Sequence, residues 1–139
     1  MRAKKLETSY VLRLERGERI VEALTAFCAR EKITAASFSG LGTCRNAEIG
    51  FFHIEAGAYA FRTFPEDCEI TALLGNVSLV DGKPHVHAHI VLGDSRFRSW
   101  SGHLKEAEVL ATCEIVLIKL KGKLLRKRDE KSGLNLLKL

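Results

Sequence analysis

The chain has 139 residues, of which 46% are hydrophobic and 28% are charged. This length and balance suit a single globular domain, residues 1–139, with a buried core, and they exclude a disordered chain, a collagen-like repeat and a coiled coil. The longest apolar stretches are far shorter than the ~20 residues of a membrane-spanning helix. Because no apolar run follows the basic N-terminus, we expect a cytoplasmic protein without a secretory signal or a membrane segment.

The net charge of +5 is concentrated near the C-terminus. Residues 119–131 contain seven basic and two acidic side chains, an excess equal to that of the whole chain. Such clustering is typical of nucleic-acid-binding segments, but lysines also protect exposed edge strands from aggregation, and charge alone favours this second interpretation. The lysines are expected to form a row on one strand face that contacts phosphates without reading bases. The candidate DNA contacts are Lys119, Lys121, Lys123, Arg126, Lys127 and Arg128.

Apolar periodicity predicts the secondary structure in chain order. Alternation indicates a strand at 10–14, and Gly17 then precedes the one convincing helix, 18–31, whose apolar residues fall on one face. Asp81-Gly82 is a strong hairpin signal between two of the later segments. One helix with about seven or eight strands predicts an α+β domain in which hairpins dominate. The remaining candidate strands are 34–39, 47–54, 58–64, 68–80, 84–92, 108–121 and 123–128.

The four cysteines, at positions 28, 44, 68 and 113, have no CxxC spacing and fall mostly inside apolar segments. In a chain without an export signal, this pattern predicts reduced, buried thiols that behave as small hydrophobic side chains. It does not support a zinc ribbon or a redox motif.

The most informative segment is 84–92, where three histidines alternate with apolar residues. Alternation places His85, His87 and His89 on one strand face, and imidazoles at i and i+2 lie close enough to share a metal ion. His103, which follows in a neighbouring hairpin arm, is a further candidate ligand. The alternative is an amphipathic strand whose polar face happens to be histidine. Three imidazoles around zinc would leave one position open for water, substrate or a carboxylate.

Other candidates have simpler interpretations. Ser39-Gly40-Leu41-Gly42-Thr43 contains a GxG, but the dinucleotide fingerprint fails at Arg45, so a sharp turn or a close backbone approach is favoured over phosphate binding. We expect His53 to be an ordinary half-buried side chain, and Glu69 to lie near the histidine strand without a strong case as a ligand. Trp100 is the best candidate for a partner surface. The phenylalanines expected in the core or at an oligomer contact are Phe51, Phe52, Phe61, Phe64 and Phe97.

Several short pieces in a fixed order make the chain resemble the PPC (plants and prokaryotes conserved) domain in its stand-alone prokaryotic form. Each piece is weak by itself, but their order and spacing are specific and extend over nearly the whole chain. They are Leu14 through Gly17-Glu18, Ser39-Gly40-Leu41-Gly42, Glu69-Ile70, Gly75-Asn76-Val77-Ser78, Asp81-Gly82-Lys83-Pro84, His87-Ala88-His89, Gly102-His103-Leu104, Glu114-Ile115, and the tail Arg126 to Asp129 with Ser132-Gly133-Leu134.

The resemblance implies a strongly bent antiparallel sheet and a homotrimer. It also implies a divalent metal ion, expected to be zinc, on His87, His89 and His103, whereas His85 is outside the family pattern and is either a bystander or a fourth ligand. Prokaryotic members are commonly described as predicted DNA-binding proteins, although this chain has no Arg-Gly-Arg-Pro AT-hook like that of plant members. The fold is similar to that of acetolactate decarboxylase, a zinc enzyme with histidine ligands.

Two functional hypotheses follow. In the first, the chain is a homotrimeric regulatory protein that binds DNA or a protein partner, and the metal is structural or regulatory. In the second, it is a zinc-dependent enzyme or small-molecule binder that uses the open metal position. The sequence identifies no substrate and no catalytic residue.

Overall fold

The structure, a computed structural model, describes residues 1–139 and contains one helix among nine strands. The expected α+β class with one main helix is confirmed, with one or two strands more than expected. The helix, α1, spans Ile20–Arg30, two residues shorter at its start than the sequence indicates. The strands are β1 (Arg2–Leu6), β2 (Ser9–Glu15), β3 (Ala36–His53), β4 (Ala58–Phe64), β5 (Cys68–Val80), β6 (Lys83–Gly93), β7 (Ser99–Lys119), β8 (Leu125–Arg128) and β9 (Asn135–Lys138).

All nine strands belong to one sheet, and every pairing is antiparallel except a single parallel contact between Leu79 of β5 and Leu125 of β8. Strand β3 pairs with β5 and β7, and β6 also pairs with both β5 and β7. These four strands therefore form a closed ring of pairings, which a flat sheet cannot make. No helix in the structure is long and apolar enough to cross a membrane.

Bulges in β3 allow this curvature. The register of β3 shifts against β5 between Gly40 and Gly42, and against β7 between Gly42 and Cys44. Each shift bends the strand and changes which residues face the core. The segments 34–39 and 47–54, which the sequence suggests as separate strands, accordingly form parts of one 18-residue strand.

The helix covers one face of the sheet and packs against β6 and β7. Its buried residues are Ile20, Leu24, Phe27 and Cys28, the face that the periodicity predicts. On β6 the residues that point toward this core are Val86, Ala88, Ile90 and Leu92, all buried. All four cysteines are free and buried, as expected.

The opposite, outer face of the sheet carries exposed apolar residues. Directly paired residues share a face, and the pairings Val11–Val116, Val116–Ser39, Ser39–Leu74 and Leu74–His89 define one row across β2, β7, β3, β5 and β6. We call this row of five residues the outer row. Its three apolar side chains are 38% (Val11), 45% (Val116) and 59% (Leu74) exposed.

Candidate metal centre

Strands β6 and β7 bring three histidines together. His89 and His103 lie directly opposite each other in the β6–β7 pairing, and His87 is two residues before His89 on the same face. The potential ligand atoms of these three side chains all lie within 4.8 Å of one another. The three ring centroids are separated by 5.2 to 5.7 Å. We call these three residues the histidine cluster.

The backbone around His103 allows β7 to approach β3 closely. A Cβ atom at Gly102 would lie 2.7 Å from the carbonyl oxygen of Gly50, so a side chain at that position would separate the strands. Tyr59 of β4 packs against the ring of His103 with a centroid distance of 4.8 Å and a tilt of 33°. Both contacts restrict where the imidazole can lie.

Nδ1 of His103 is buried and has no hydrogen-bond partner. Buried polar atoms are almost always paired, so this nitrogen needs an explanation. A cation bound by this nitrogen would supply the missing partner. The donor set also fits a transition metal, because imidazole nitrogen is a preferred ligand of zinc.

Burial favours the neutral form of two of these imidazoles, those of His87 and His103. It lowers the pKa of His87 to about 4, with a further contribution from the nearby Arg126 guanidinium. Burial also lowers the pKa of His103, and repulsion from His89 and His85 lowers it further. Neutral imidazole is the form that binds metals, so both rings are ready to act as ligands at neutral pH.

Arg126 of β8, a candidate DNA contact in the sequence, instead points into this site. Its Nε donates a hydrogen bond to Ser78 Oγ at 2.8 Å, and its Nη1 donates to the carbonyl oxygen of Asn135 at 2.8 Å. Its Nη2 donates to Asn76 Oδ1 at 2.9 Å and lies 3.3 Å from His87 Nδ1. Cross-strand pairing places Asn76 opposite His87, which explains why one guanidinium reaches both.

A cavity of about 360 Å³ lies beside the histidine cluster. Its walls come from the β3–β4 hairpin, from β6 and β7, and from the C-terminal segment. They contain three imidazoles and one guanidinium but no carboxylate. The lining residues are Phe52, Gly57, Ala58, Tyr59, His85, His87, His103, Arg126, Gly133, Leu134, Asn135 and Leu136.

The remaining histidines and Glu69 lie outside the cluster. His85 lines the cavity and is half-buried, but its nitrogens are not among the mutually close ligand atoms. Burial lowers the pKa of His85 too, and the positive charge of Arg126 lowers it further. His53 is exposed rather than half-buried. Glu69 is exposed and pairs with Gly93, at the end of β6 away from His85.

The aromatic residues differ in burial more than expected. Of the five phenylalanines, only Phe64 is buried, and Phe97 is 96% exposed. Trp100 is half-buried rather than a free surface residue: it packs on Phe64 at a centroid distance of 5.4 Å and carries Arg98 over its ring.

The basic C-terminal segment does not form the expected row. Strand β7 ends at Lys119, and Lys121 lies in a bend, so the three lysines do not alternate along one strand. All three of Lys119, Lys121 and Lys123 are nevertheless exposed, as are Lys127 and Arg128 of β8.

Two of these lysines belong to a groove that the sequence does not reveal. Lys119 and Lys121 line a depression of about 440 Å³ together with Lys5 of β1 and Lys32, which follows α1. One acid, Glu7, lies on the same rim. We call the four lysines the lysine groove. Separate elements supply them, so sequence clustering alone could identify only two.

Comparison with known proteins connects this geometry to a family. The family profile of the Plants and Prokaryotes Conserved domain, abbreviated PCC or PPC, matches residues 1–121. A plant- and prokaryote-conserved protein from Pyrococcus horikoshii has a similar structure, with 38% identity, a TM-score of 0.90, and coverage of 99% of this chain and 94% of that one. A search among curated proteins finds no match.

Two further solved structures are similar over almost their full lengths. A candidate DNA-binding protein from Bacteroides thetaiotaomicron has a TM-score of 0.96 at 31% identity, covering 99% of this chain and 96% of that one. A protein from Archaeoglobus fulgidus described as metal-containing has a TM-score of 0.90 at 35% identity, covering 97% and 96%. The profile match and these relatives show that the chain belongs to the Plants and Prokaryotes Conserved domain family.

Proposed function

We propose that this protein is a homotrimer whose histidine cluster binds a divalent metal ion, zinc by ligand type, and that the open metal position binds a small molecule. The observation that carries this proposal is the convergence of three imidazoles within 4.8 Å beside a cavity of about 360 Å³. Structural zinc sites usually have four protein ligands, whereas three ligands with an open position are typical of catalytic zinc.

Each residue around the cluster has a definite role in this proposal. His87, His89 and His103 hold the ion, and Tyr59 fixes the plane of the His103 ring by packing against it. When bound, a zinc ion polarises an oxygen ligand and lowers the pKa of a bound water toward about 7. The similar Archaeoglobus protein, described as metal-containing, supports the metal part of the proposal.

Metal loading tests this function. Metal-free protein titrated with Zn²⁺ or Co²⁺ is expected to bind about one ion per chain, and Co²⁺ should give a visible spectrum typical of tetrahedral nitrogen ligation. His87→Ala and His103→Ala should each weaken binding by about a hundredfold or more, because each removes one of three ligands. The matched control is His53→Ala, an exposed histidine outside the cluster. Wild-type protein that binds neither ion, or a His103→Ala variant that binds as tightly as wild type, would refute the metal centre.

The homotrimer is supported by the outer row. Exposed apolar side chains on three of the five strands in this row are typical of a surface that another subunit covers. Leu41 and Ile118, 58% and 47% exposed, extend the apolar surface beyond the row. A second copy of the same chain is the occupant that the family resemblance implies.

A second function, DNA binding, is supported by the lysine groove. Four lysines from three parts of the chain line one depression, an arrangement suited to a phosphate backbone. Similar proteins from Bacteroides thetaiotaomicron and Ralstonia eutropha are described as candidate DNA-binding proteins. No element presents a recognition helix, so any binding is expected to be electrostatic and independent of sequence.

Salt-dependent binding to duplex DNA tests this second function. Changing Lys32, Lys119 and Lys121 of the lysine groove to Gln is expected to lower the affinity for DNA at low salt and to reduce the salt slope by about one per lost phosphate contact. A charge-matched control changes Arg62, Lys83 and Lys105, three exposed basic residues elsewhere. Equal losses in the two triple variants would indicate only a net-charge effect, and no binding by wild type at low salt would exclude the function.

A further inference from the structure

The guanidinium of Arg126 is a half-buried charge without a charged partner. Its four hydrogen-bond contacts are a hydroxyl, a side-chain amide oxygen, a carbonyl oxygen and an imidazole nitrogen, and all are neutral. Buried charges are normally paired with an opposite charge. The cavity beside Arg126 contains no carboxylate that could serve as that partner.

The contact with His87 fixes the protonation of that ring. A guanidinium can only donate, so Nδ1 of His87 must accept the hydrogen bond at 3.3 Å. A neutral imidazole has one lone pair available for this purpose, and the proton then lies on Nε2. The neutral ring therefore cannot accept a hydrogen bond from Arg126 at Nδ1 and bind a metal ion at Nε2 at the same time, unless it also loses the proton on Nε2.

Metal binding at His87 is consequently expected to release one N–H of Arg126. A guanidinium has five N–H groups, of which the four contacts occupy four. After release of His87, two N–H groups lack a partner. The divalent ion and the guanidinium would then place three positive charges around a cavity with no acidic side chain. Such a site requires an anion.

We infer that Arg126 is an anion-binding residue: when the metal binds, its guanidinium exchanges His87 for the oxygen atoms of a small carboxylate or phosphate ligand in the cavity. This inference rests on the proposed metal site and names the chemical class of its ligand. Charge-assisted hydrogen bonds from arginine to carboxylate or phosphate oxygens are stronger than the bonds that Arg126 makes to neutral groups.

The volume of the cavity favours a small ligand. Its volume is about 360 Å³, and the C-terminal residues 133–136 and the turn at 57–59 wall it on two sides. Ser78, which anchors Arg126, is fully buried. A half-buried guanidinium in a cavity of this volume suits a small free anion better than the backbone of a DNA duplex.

Spectroscopic titration of the full-length protein loaded with Co²⁺ tests the inference. Acetate and inorganic phosphate, added separately, are the probes, and a short DNA duplex is the third arm. At least one small anion is expected to change the visible Co²⁺ spectrum in a saturable way. Arg126→Gln should weaken the binding of that anion about tenfold or more. The matched control is Arg128→Gln, an exposed arginine on the same strand.

A second readout separates anion binding from a merely structural role. Without added anion, Arg126→Gln should bind Co²⁺ at least as tightly as wild type, because the competing hydrogen bond to His87 and one positive charge are gone. A structural role predicts weaker metal binding instead. By reciprocity, the anion should raise the Co²⁺ affinity of wild-type protein more than that of Arg126→Gln.

The outcomes distinguish this inference from the proposed function. Wild-type protein that binds no Co²⁺ refutes the metal centre itself. Normal Co²⁺ binding with equal anion affinity in wild type and Arg126→Gln overturns the inference alone, as does a spectrum that responds only to DNA. If Arg126→Gln does not fold, Arg126→Lys replaces it, because lysine keeps the charge but cannot make the four guanidinium contacts. The wild-type reciprocity measurement then decides whether metal and anion bind together.

Discussion

At the scale of single residues, Gly42 shows how closely β3 and β7 approach. It adopts φ +151°, and a Cβ atom there would lie 2.7 Å from Cα of Cys113 and still closer to the carbonyl oxygen of Thr112. Both partners are backbone atoms that cannot rotate away. Gly42→Ala is therefore expected to lower the free energy of unfolding by about 3 kcal/mol or more, measured by urea denaturation.

Gly57→Ala is the matched control for this prediction. Gly57 also has a positive φ, +60°, but no atom lies within 4 Å of the position that a Cβ would occupy, so only the backbone cost of about 1–2 kcal/mol is expected. Equal losses at the two positions would show that the close approach does not matter.

The same residue scale shows what the sequence can and cannot reveal. The GxG at 40–42 is interpretable as a close approach because its context excludes a phosphate loop. His87, His89 and His103 are also identifiable, because alternation places two of them side by side. Arg126 is not, since its contact with His87 spans 39 residues and depends on β8 joining β5. Sequence proximity instead groups it with exposed basic neighbours.

At the scale of elements, Glu106 of β7 caps the start of α1 from a distant part of the chain. The N-cap residue Arg19 provides no side-chain cap, and Glu106 instead accepts hydrogen bonds from the backbone N–H groups of Val21 at 2.8 Å and Glu22 at 3.1 Å. A carboxylate here also interacts favourably with the helix dipole. Glu106→Ala is expected to cost about 2 kcal/mol of stability, measured by thermal or urea unfolding.

Glu22→Ala provides the comparison within the same turn of helix. Its side chain is 72% exposed and receives no backbone hydrogen bond from the helix start, so a loss of only a few tenths of a kcal/mol is expected. If the two variants were equally stable, Glu106 would not be the cap.

Element prediction succeeds where an apolar face exists and fails where it does not. The helix is predictable because Ile20, Leu24 and Phe27 repeat at helical spacing. Strands β1 and β9 are not, because every residue in both is exposed and no alternation marks them. The long strand β3 resembles two strands in the sequence, because its bulges interrupt the alternation.

At the scale of the whole molecule, the outer row is the feature that a monomer leaves unexplained. Alternation in the sequence predicts which residues of each strand face away from the helix, but only the pairing of five strands reveals that Val11, Val116 and Leu74 are neighbours. Sequence reasoning therefore reaches the trimer through family resemblance and not through this surface.

Val116→Lys tests whether subunits meet at this row. Val116 lies next to Val11 and Ser39, and a lysine there would place a charge among apolar side chains that a neighbouring subunit would bury. Wild-type protein is expected to have the solution mass of a trimer by light scattering, and the variant that of a monomer at the same concentration. Ile54→Lys, at an 83% exposed position beyond β3, should remain trimeric. A monomeric wild type, or a Val116→Lys variant that still forms trimers, would show that the outer row is not the contact, because a buried unpaired ammonium costs several kcal/mol in each interface.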